Sequence, residues 1–433
     1  MKAIIVGAGI GGLTAGLSLH AAGIDVAVFE RSDDVRELGV GLNLLPPAVA
    51  ELAALGLLEA LDAVAVRTGT LILTNRQGQR ILSDPRGLDA GAPVPQFSVH
   101  RGHLQRVLLD ALRQRAGSAV VRVDRQLDHF EQDRDGVQAR FIDASGTIVE
   151  TASGDVLIGA DGIRSAVRAQ LVPGEGEPLW NGSMMWRGAT EWPVFLDGRT
   201  MIVAGGNAAK LVIYPIGPGR TAATRLTNWA VVVGGVAPPG STPPRPATHL
   251  DVWSQPARRD ELAPHVSRFD SEVVDITGLV AATNPIYEYP MCDREPLPRW
   301  TVGRVTLLGD AAHAMYPMGS NGATQAIIDA AHLGRHLGSC EDSGAIPSAL
   351  LGYEIDRREA VNRIVLLNRT GGPERIIDLV EQLAPEGFGD IADVMPVDEL
   401  RRIVADYAAA GTPERPPGQV HARVAGVGDR HRR

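Results

Sequence analysis

The chain has 433 residues, of which 42 are basic and 51 acidic, and its formal net charge is −9. This acidic balance argues against a nucleic-acid partner, because nucleic-acid binding requires a basic surface. Two cysteines, Cys292 and Cys340, are too few for a disulfide framework and indicate reduced thiols. The chain begins on a strand without a secretory leader, and no apolar run is long enough to span a bilayer. A cytoplasmic protein with no membrane partner is therefore expected.

The N-terminal elements predict a βαβ unit. A strand at 2–6 is followed by a glycine turn, a helix at about 11–22 and a second strand at 25–30. Leucines and alanines alternate in the helix, which allows close packing on a sheet. The unit predicts a parallel sheet with a right-handed crossover.

The glycine turn has the spacing of a dinucleotide-binding fingerprint. Gly7 permits the tight turn, Gly9 lets the backbone approach a pyrophosphate, and Gly12 allows helix and strand to pack closely. The helix N-terminus beyond the turn favours negative charge. Glu30 ends the second strand, where its carboxylate can accept hydrogen bonds from ribose hydroxyls. A nucleotide site is expected, although this motif alone does not separate FAD from NAD.

The stretch from residue 46 to residue 160 mixes helical and strand periodicity. Prolines at its start and a glycine at its end predict a helix over 46–55. Apolar spacing predicts another over 102–115. Predicted strands are a hairpin pair at 71–74 and 80–82, followed by 119–123, 126–132, 137–143, 147–150 and 156–159.

Between about 176 and 290 the pattern changes to short strands, predicted at 200–203, 210–214 and 228–233, separated by loops rich in proline and glycine. It predicts a separate antiparallel sheet inserted into the α/β framework. After Trp300 the parallel pattern resumes with a strand at 305–308, and helices are predicted at 321–338 and 346–369.

A second glycine turn follows the strand at 305–308. Asp310 stands at the end of that strand, where its carboxylate can bind a hydroxyl of a cofactor chain. Residues 317–323, Pro-Met-Gly-Ser-Asn-Gly-Ala, place free amides at a helix start, and such amides would stabilise negative charge on a reduced flavin. Two distant turns of this kind indicate a long cofactor held at both ends, which favours FAD over NAD.

A third motif, Gly-Ala-Asp-Gly-Ile-Arg-Ser at 159–165, lies between the two turns. The three motifs, in this order and spacing, resemble those of the single-component class A flavoprotein monooxygenases, the para-hydroxybenzoate and salicylate hydroxylase family. The resemblance covers about residues 1–370. Shorter segments resemble the phenazine-hydroxylating branch, the 5-methylphenazine-1-carboxylate 1-monooxygenases: Leu38–Asn43, Ser98–Gly102, Met185–Gly188 and Tyr289–Arg294.

The resemblance implies an α/β fold in which a Rossmann-like FAD-binding domain carries an inserted mixed or antiparallel β-sheet substrate domain and C-terminal helices. The implied FAD-binding domain is discontinuous and covers 1–70, 98–175 and 290–372. The substrate domain covers 71–97 and 176–289. A C-terminal helical segment at 373–410 and a tail at 411–433, expected to be disordered, complete the chain.

The resemblance also implies the site residues. The cofactor-binding set is drawn from the three motifs and the segments beside them: Gly7, Gly9, Ile10, Gly11, Gly12, Glu30, Arg31, Val40, Gly41, Arg101, Leu127, Asp161, Gly162, Gly309, Asp310, Pro317, Gly319, Ser320, Asn321, Gly322 and Ala323. Within this set Arg101 and Pro317 are the implied catalytic residues, and Leu127 would contact adenosine through its backbone. Because the chain has one dinucleotide fingerprint, NADH or NADPH would dock transiently as co-substrate.

The implied reaction takes hydride from NADH or NADPH to FAD, adds O2 to give a flavin C4a-hydroperoxide, and hydroxylates an aromatic or N-heteroaromatic ring, with or without decarboxylation. A phenazine or a salicylate-like acid is the implied substrate class, and the protein would act as a monomer or homodimer. The candidate substrate residues are Trp186, Arg187, Tyr214, Tyr289 and Met315. An arginine beside aromatic rings could orient a planar anion, but core positions in the sheet explain these residues equally well.

Two other functions use a similar fingerprint. A flavin-dependent halogenase would need a tryptophan-rich segment and a catalytic lysine, and Trp180 and Trp186 lack the required spacing. A non-enzymatic FAD-binding protein is the other alternative, and the intact Asp161-Gly162 pair argues against it. His313 is interpreted as structural. No metal site is expected from His100 and His103, because no cysteine or carboxylate set completes their spacing.

Overall fold

The computed structural model describes residues 1–35, 40–206, 208–234, 245–246, 255–256 and 259–410. The predicted tail at 411–433 therefore lies outside the described residues, as do positions 38 and 39 of the segment that resembles the phenazine-hydroxylating branch. Within the described part of the chain, no helix combines the length and the apolar character needed to cross a membrane.

The strands, in chain order, are β1 (Lys2–Val6), β2 (Asp25–Phe29), β3 (Gly41–Leu44), β4 (Ala65–Thr68), β5 (Thr70–Thr74), β6 (Arg80–Pro85), β7 (Gln96–His100), β8 (Val121–Arg122), β9 (Gln126–Gln132), β10 (Val137–Ile142), β11 (Ile148–Gly154), β12 (Val156–Gly159), β13 (Leu179–Pro193), β14 (Thr200–Ala204), β15 (Ala209–Pro218), β16 (Thr224–Val233), β17 (Arg245–Pro246), β18 (Gln255–Pro256), β19 (Tyr287–Asp293), β20 (Thr301–Val302) and β21 (Val305–Leu307).

The α-helices are α1 (Ile10–Ala21), α2 (Pro46–Ala54), α3 (Leu58–Val64), α4 (Arg101–Ala116), α5 (Ala166–Leu171), α6 (Arg259–Val266), α7 (Ile276–Ala282), α8 (Asp310–His313), α9 (Asn321–Gly338), α10 (Ile346–Arg369), α11 (Arg375–Leu383) and α12 (Val397–Ala410).

A six-stranded sheet in the order β20-β21-β12-β1-β2-β8 forms the framework that the three sequence motifs join. β1 pairs in parallel with β2 on one side and with β12 on the other. Four of the five residues of β1 are buried, as expected for a strand whose sheet is covered on both faces. The predicted βαβ unit is confirmed, and all three sequence motifs follow strands of this sheet.

A second, larger sheet has the order β18-β19-β13-β16-β15-β14-β5-β6, with β17 paired to β13. β5 pairs in parallel with β14, while the other pairings are antiparallel. The mixed sheet of the predicted fold class is therefore confirmed, and so is the hairpin formed by β5 and β6. The C-terminal helices α11 and α12 pack against this end of the sheet. Their apolar contacts include Leu73, Ile81, Val203, Ile376, Val380 and Leu400.

Two features of the sheets were not predicted from the sequence. β13 is a 15-residue strand, but two glycines and an asparagine interrupt its apolar pattern. A small antiparallel sheet in the order β3-β7-β4 lies against β15 and β16 of the larger sheet. Its strands have four or five residues each, so they are too short to show a clear alternation.

The carboxylate of Asp329 joins three elements inside the framework. Asp329 lies in α9 and is fully buried. Its Oδ2 atom lies 2.5 Å from Nε2 of His313 and accepts a hydrogen bond from the backbone N–H of Gly309 at 3.1 Å. Its Oδ1 atom accepts a hydrogen bond from Nε of Arg357 in α10 at 2.8 Å. The second glycine turn is thereby fastened to both helices that pack behind it.

The charges around Asp329 outweigh its burial. Burial alone would raise the pKa of the carboxyl group, but His313 and Arg357 lower it from 3.8 to about 2. The group therefore remains ionised over the physiological pH range. His313, which is also buried and packs against Trp300, is occupied by this contact, in keeping with the structural role expected from the sequence.

Asp329→Asn is expected to lower the free energy of unfolding by about 3–5 kcal/mol, because it leaves the buried guanidinium of Arg357 without its counter-charge. Urea denaturation measures the loss. The matched control is Glu359→Gln, which removes an exposed carboxylate paired with Arg363 on α10 and should cost less than about 1 kcal/mol. Equal losses in the two variants would contradict the assignment.

Wild type and Asp329→Asn also test how the unfolding free energy depends on pH. The folded-state pKa of Asp329 is depressed, so its stabilising effect is present above the unfolded value near 3.8 and is lost as the pH falls towards 2. The difference in unfolding free energy between wild type and Asp329→Asn should therefore shrink over that interval. A difference that grows on acidification would exclude the proposed origin.

Candidate active site

The first glycine turn contains two glycines that cannot carry a side chain and one that can. A Cβ atom at Gly12 would lie 1.9 Å from the carbonyl oxygen of Gly7, and a Cβ at Gly7 would lie 2.4 Å from that of Ala160. A Cβ at Gly9 would meet nothing within 4 Å. Gly7 and Gly12 are thus required by packing, whereas the space beside Gly9 is open to a ligand. Ile10 and Gly11 continue the turn into α1.

The Glu30 side chain contacts the backbone of this turn. One carboxylate oxygen accepts a hydrogen bond from the backbone N–H of Ala8 at 2.8 Å, and the other accepts one from Ser32 at 3.0 Å. Arg31, between them, is exposed. The turn that precedes β9 packs on the same segment, since Arg125 donates its N–H to the carbonyl oxygen of Glu30. Leu127 is buried in β9 two residues further on, so it lies in the segment that follows this contact.

The third motif touches the first, because Gly7 packs against the backbone of Ala160 and Asp161. The side chain of Asp161 turns inward and accepts hydrogen bonds from Ser165 Oγ and from the N–H of Ala166 at 2.7 Å. It thus caps the start of α5. Burial raises the pKa of the Asp161 carboxyl, although these hydrogen bonds oppose the shift. The next residue, Gly162, has open space at its Cβ position.

The second glycine turn leaves a carboxylate available. Gly309 has the left-handed φ of +58° and starts α8, while Asp310 is exposed at the first position of that helix. In the described part of the chain no side chain or amide is hydrogen-bonded to the Asp310 carboxylate. Asp310 is therefore free to bind a hydroxyl group, whereas its neighbour Gly309 is fixed by Asp329.

The segment from Pro317 to Ala323 ends in an uncapped helix. Pro317 is exposed, and a 3-10 turn at Met318–Ser320 leads into α9. Ser320 occupies the N-cap position of α9 without making a side-chain capping bond, and the first turn holds no acidic residue. A Cβ at Gly322 would meet nothing within 4 Å. The free amides of this helix start therefore face open space and can bind an anion.

These observations fit FAD. The first turn of α1, like that of α9, has neither a side-chain cap nor an acidic residue. Two uncapped helix starts therefore belong to the same framework, with the free carboxylate of Asp310 on the strand end that precedes the second. The two helix starts would stabilise negative charge, and the Asp310 carboxylate would accept hydrogen bonds from a polyol chain. A flavin dinucleotide carries both kinds of group.

The small sheet meets the large sheet at Gly41, the first residue of β3, which follows Val40. The N–H of Gly41 donates to Oδ1 of Asn228 at 2.8 Å, and its carbonyl oxygen accepts a hydrogen bond from Nη2 of Arg187. The carbonyl oxygen of Val40 accepts the N–H of Arg101, the first residue of α4. One short backbone segment thus connects the substrate sheet with the start of α4. Asn228 was not singled out in the sequence, because an asparagine in an apolar strand gives no signal of its partner.

The structure brings Arg187, Tyr214 and Tyr289 to one face of the large sheet. Tyr214 pairs with Asn228 across β15 and β16, and both tyrosines interact electrostatically with Arg187. Trp186 lies on the opposite face, because successive residues of a strand alternate in direction. It belongs to the apolar cluster beneath the sheet and stacks on His265. The structure therefore does not place Trp186 on the face that carries Arg187.

A cluster of mostly buried apolar side chains adjoins Arg187 on the same face. Its members are Met185, Ala230, Val232, Tyr289, Met291, Tyr316 and Met318. Because Met318 lies in the 3-10 turn before α9, this cluster extends from the large sheet to the segment that follows the second glycine turn. Met315 instead packs partly buried against the core around the six-stranded sheet. Methionine side chains adapt to flat ring systems, so this cluster suits a planar aromatic ligand.

The C-terminal helix α12 packs against the start of α9 through Tyr407. The sequence did not indicate this contact. The hydroxyl group of Tyr407 accepts a hydrogen bond from Nδ2 of Asn321 at 3.0 Å and donates one to Oδ1 of Asn368 at 2.6 Å. The ring fills the space beside Gly319, where a Cβ would lie 2.5 Å from it. Tyr407 thereby links the flavin-side turn to both C-terminal helices α10 and α12.

Buried polar contacts join the same C-terminal segment to the substrate sheet. Lys210 in β15 forms an ion pair with Glu374, and both side chains are largely buried. The ammonium group also lies beside the sulfur of Met318. Lys210 is therefore held in a structural contact, which argues against the halogenase alternative because such an enzyme needs an available lysine.

Comparison with known proteins gives a family match and similar curated sequences. The family model described as "FAD binding domain" matches residues 1–367. A phenazine 1,6-dicarboxylic acid hydroxylase of Lysobacter antibioticus is 42% identical over 370 residues, which are 84% of this chain and 88% of that protein. A 3-hydroxybenzoate 6-hydroxylase of Aquipseudomonas alcaligenes is 31% identical over 84% of this chain and 87% of its own length.

Solved structures show the same architecture. A Klebsiella pneumoniae protein in complex with FAD and uric acid has a TM-score of 0.72 and 27% identity, and the match covers 95% of this chain and 97% of that one. A salicylate hydroxylase substrate complex has a TM-score of 0.71 at 22% identity, with 96% and 98% covered. The latter likeness supports the fold.

Two alanine variants distinguish a packing glycine from a ligand-facing glycine. Gly12→Ala should destabilise the protein by at least about 1–3 kcal/mol, because its Cβ overlaps the carbonyl of Gly7. Gly9→Ala should leave thermal stability unchanged, yet weaken FAD binding to apoprotein by about tenfold or more, equivalent to 1.4 kcal/mol. Thermal unfolding and flavin fluorescence titration measure the two effects. FAD affinity that is unchanged in a folded Gly9→Ala protein would remove Gly9 from the site.

Tyr407→Phe removes a hydroxyl group that pairs with two buried amide side chains, and we expect a loss of about 1–3 kcal/mol in unfolding free energy. FAD should also dissociate more readily from this variant, because Asn321 at the start of α9 loses its partner. The control is Arg401→Gln, which changes an exposed position of the same helix. A loss of stability with unaltered FAD affinity would show that the hydrogen bonds of the Tyr407 hydroxyl group do not influence FAD binding.

Proposed function

The chain belongs to the FAD binding domain family, and from that premise we propose that it hydroxylates a planar aromatic acid of the phenazine carboxylic type. It is an FAD-dependent aromatic monooxygenase, as its relatives are. The proposal goes further in naming an anionic, nitrogen-containing ring system as substrate. When bound, FAD would take up hydride from NADH or NADPH and allow one oxygen atom of O2 to reach the aromatic ring.

The observation that carries the substrate class is the uncompensated charge of Arg187. In the described part of the chain no carboxylate pairs with its guanidinium, and its Nε atom has no hydrogen-bond partner although it is buried. Burial lowers the pKa of Arg187, and the nearby charge of Arg101 lowers it further. The positive charges of Arg187 and Arg101 lie close together near Gly41, in a chain whose net charge is −9. Their proximity favours an anionic ligand.

The groups around Arg187 fit an aromatic carboxylate. Burial raises the pKa of the Tyr214 hydroxyl to about 12, and it also raises that of Tyr289. Both phenols are therefore protonated near neutral pH and can donate hydrogen bonds to a carboxylate or a ring nitrogen. The buried apolar cluster that includes Met185 and Met291 lies on the same face and would pack against the ring itself. A planar acid would thus find a cation, two donors and apolar side chains on one face.

We propose the following assignment of the cofactor residues. Gly9 and the first turn of α1 would bind the pyrophosphate, with Glu30 on the adenosine ribose. Asp310 would hold the ribityl chain, and the amides from Gly319 to Ala323 would lie beside the flavin ring. Val40 and Gly41 would separate the flavin from the substrate sheet, so that closure of this segment excludes water from the reaction. Asp161 contributes by holding α5 against the glycine turn.

The relatives favour hydroxylation over the alternatives. The matching curated proteins that we compare are a hydroxylase of a phenazine dicarboxylic acid and a hydroxylase of a hydroxybenzoate, both aromatic acids. The higher identity to the phenazine hydroxylase supports a fused heteroaromatic ring over a single benzene ring. The free helix starts and the free Asp310 carboxylate support a working cofactor site rather than a purely structural flavin.

The test compares charged and uncharged forms of one ring system. Purified holoprotein is incubated with phenazine-1-carboxylate, phenazine-1,6-dicarboxylate or unsubstituted phenazine, and both nicotinamide oxidation and hydroxylated product are measured. Arg187→Gln should raise the KM for the carboxylates by about 10- to 150-fold, the equivalent of a charged hydrogen bond worth 1.5–3 kcal/mol. The KM for unsubstituted phenazine should change by less than about twofold.

Arg220→Gln is the matched control, because Arg220 is an exposed arginine between two strands of the same sheet and pairs with Glu191. It should leave every KM unchanged. An equal effect of Arg187→Gln on charged and uncharged rings would reject Arg187 as the carboxylate partner. Hydroxylation of none of the phenazines, but of a hydroxybenzoate, would reject the phenazine class while preserving the monooxygenase assignment.

A further inference from the structure

Two histidines and an aspartate converge on α9 and α10, outside the site described above. His332 and His336 are one turn apart on α9, and both side chains are partly exposed. Asp356 projects from the adjacent α10. Its Oδ2 atom lies 3.4 Å from Nδ1 of His332 and 2.8 Å from Nε2 of His336. One potential ligand atom from each residue lies within 4.8 Å of the other two.

This spacing suits a metal ion. A tetrahedral ion with bonds of about 2.0–2.2 Å to nitrogen and oxygen holds its ligand atoms roughly 3.3 Å apart. The two distances to Asp356 are on either side of that value, so small side-chain rotations would complete the arrangement. Two imidazoles with one carboxylate favour zinc, cobalt or nickel over magnesium or calcium, which prefer oxygen ligands.

We propose that His332, His336 and Asp356 form a binding site for one divalent transition-metal ion that links α9 to α10. Three protein ligands leave at least one coordination position to water. The site is separate from the proposed hydroxylation chemistry, and its ion would act as a structural link. The proposal is therefore independent of the identity of the aromatic substrate.

The packing around His336 supports a preformed site. A Cβ atom at position 352 would lie 2.8 Å from Nδ1 and Cε1 of His336. Gly352 therefore leaves the space in which the imidazole lies against the backbone of α10. This contact directs Nε2, the other ring nitrogen, towards Asp356. The orientation of the ring is thus set by packing in addition to its ion pair.

The neighbouring cations each have a carboxylate partner, which reduces their repulsion of a bound ion. Arg335, adjacent to His336 in sequence, pairs with Glu51 at 3.0 Å. Arg357, adjacent to Asp356, pairs with the buried Asp329 at 2.8 Å. With these guanidinium charges compensated, the carboxylate of Asp356 remains to neutralise part of the charge of a bound ion.

A Co²⁺ titration tests the site directly. The full chain, without an affinity tag and after treatment with a chelator, is titrated while the visible absorption of Co²⁺ reports its coordination. Saturable binding of one ion with a tetrahedral or five-coordinate spectrum is expected. His332→Asn combined with His336→Asn should abolish that signal. Asp356→Asn should weaken binding by more than the roughly tenfold that loss of an outer hydrogen-bond partner costs a metal site.

His129→Asn is the matched control, since His129 is an exposed histidine on a strand and lies near a single carboxylate, Glu131. It should bind Co²⁺ as the wild type does. Zn²⁺ should raise the thermal unfolding temperature of wild type and of this control, but not that of the double variant, because the ion binds the folded state.

Asp356→Asn also guards against loss of folding, because this exposed side chain can be changed without disturbing the core. The FAD content of each variant checks the fold independently of the metal. Wild-type binding that does not saturate, or an unaltered Co²⁺ spectrum in the folded double variant, would overturn the proposal. The first result would indicate non-specific binding, and the second would place the ion elsewhere.

Discussion

The carboxylate of Asp329 is the junction on which the flavin side of the protein depends. Burying this charge is unfavourable unless opposite charges and hydrogen-bond donors surround it, and His313, Arg357 and the amide of Gly309 supply them. The second glycine turn has few side chains of its own with which to hold its shape. Its geometry is therefore imposed from behind by two helices. The exposed amides and the Asp310 carboxylate can remain unpaired because the buried network determines where they stand.

The network continues beyond Asp329 to the end of the described chain. Arg357 donates to Gln325 at 2.6 Å, and Gln325 donates to Asn321 at 3.1 Å, which in turn reaches Tyr407. Each member thus has a partner on a different element, and the last lies on α12. This arrangement explains why helices beyond the matched family segment, residues 1–367, bear on the cofactor site. They restrain the start of α9, whose amides would face the flavin.

The sequence predicts the parts of the site that depend on backbone geometry, and it misses those that depend on distant partners. Gly7 and Gly12 follow a strand and permit close approach, so their pattern is recognisable locally. Asp329 gives no such signal, because it is one polar residue in a helix and its partners lie 16 and 28 residues away in the chain. Trp186 and Arg187 both enter the candidate substrate set because an aromatic ring and an arginine can together orient a planar anion. The irregular pattern of β13 concealed that they face opposite sides of the sheet.

Because side chains alternate along β13, one face of the strand packs into the core while the other face contacts Gly41. Trp186 packs into the core beneath the sheet, while the next residue, Arg187, reaches the backbone of Gly41. The sheet is therefore anchored by one face, and its other face is left to meet the flavin segment and a ligand. Because Arg187 also binds the segment that would separate flavin from substrate, an anionic substrate that engages its free Nε would sense the position of that segment. In the proposed function, recognition of the acid would therefore be coupled through the Arg187 guanidinium group to the position of Gly41.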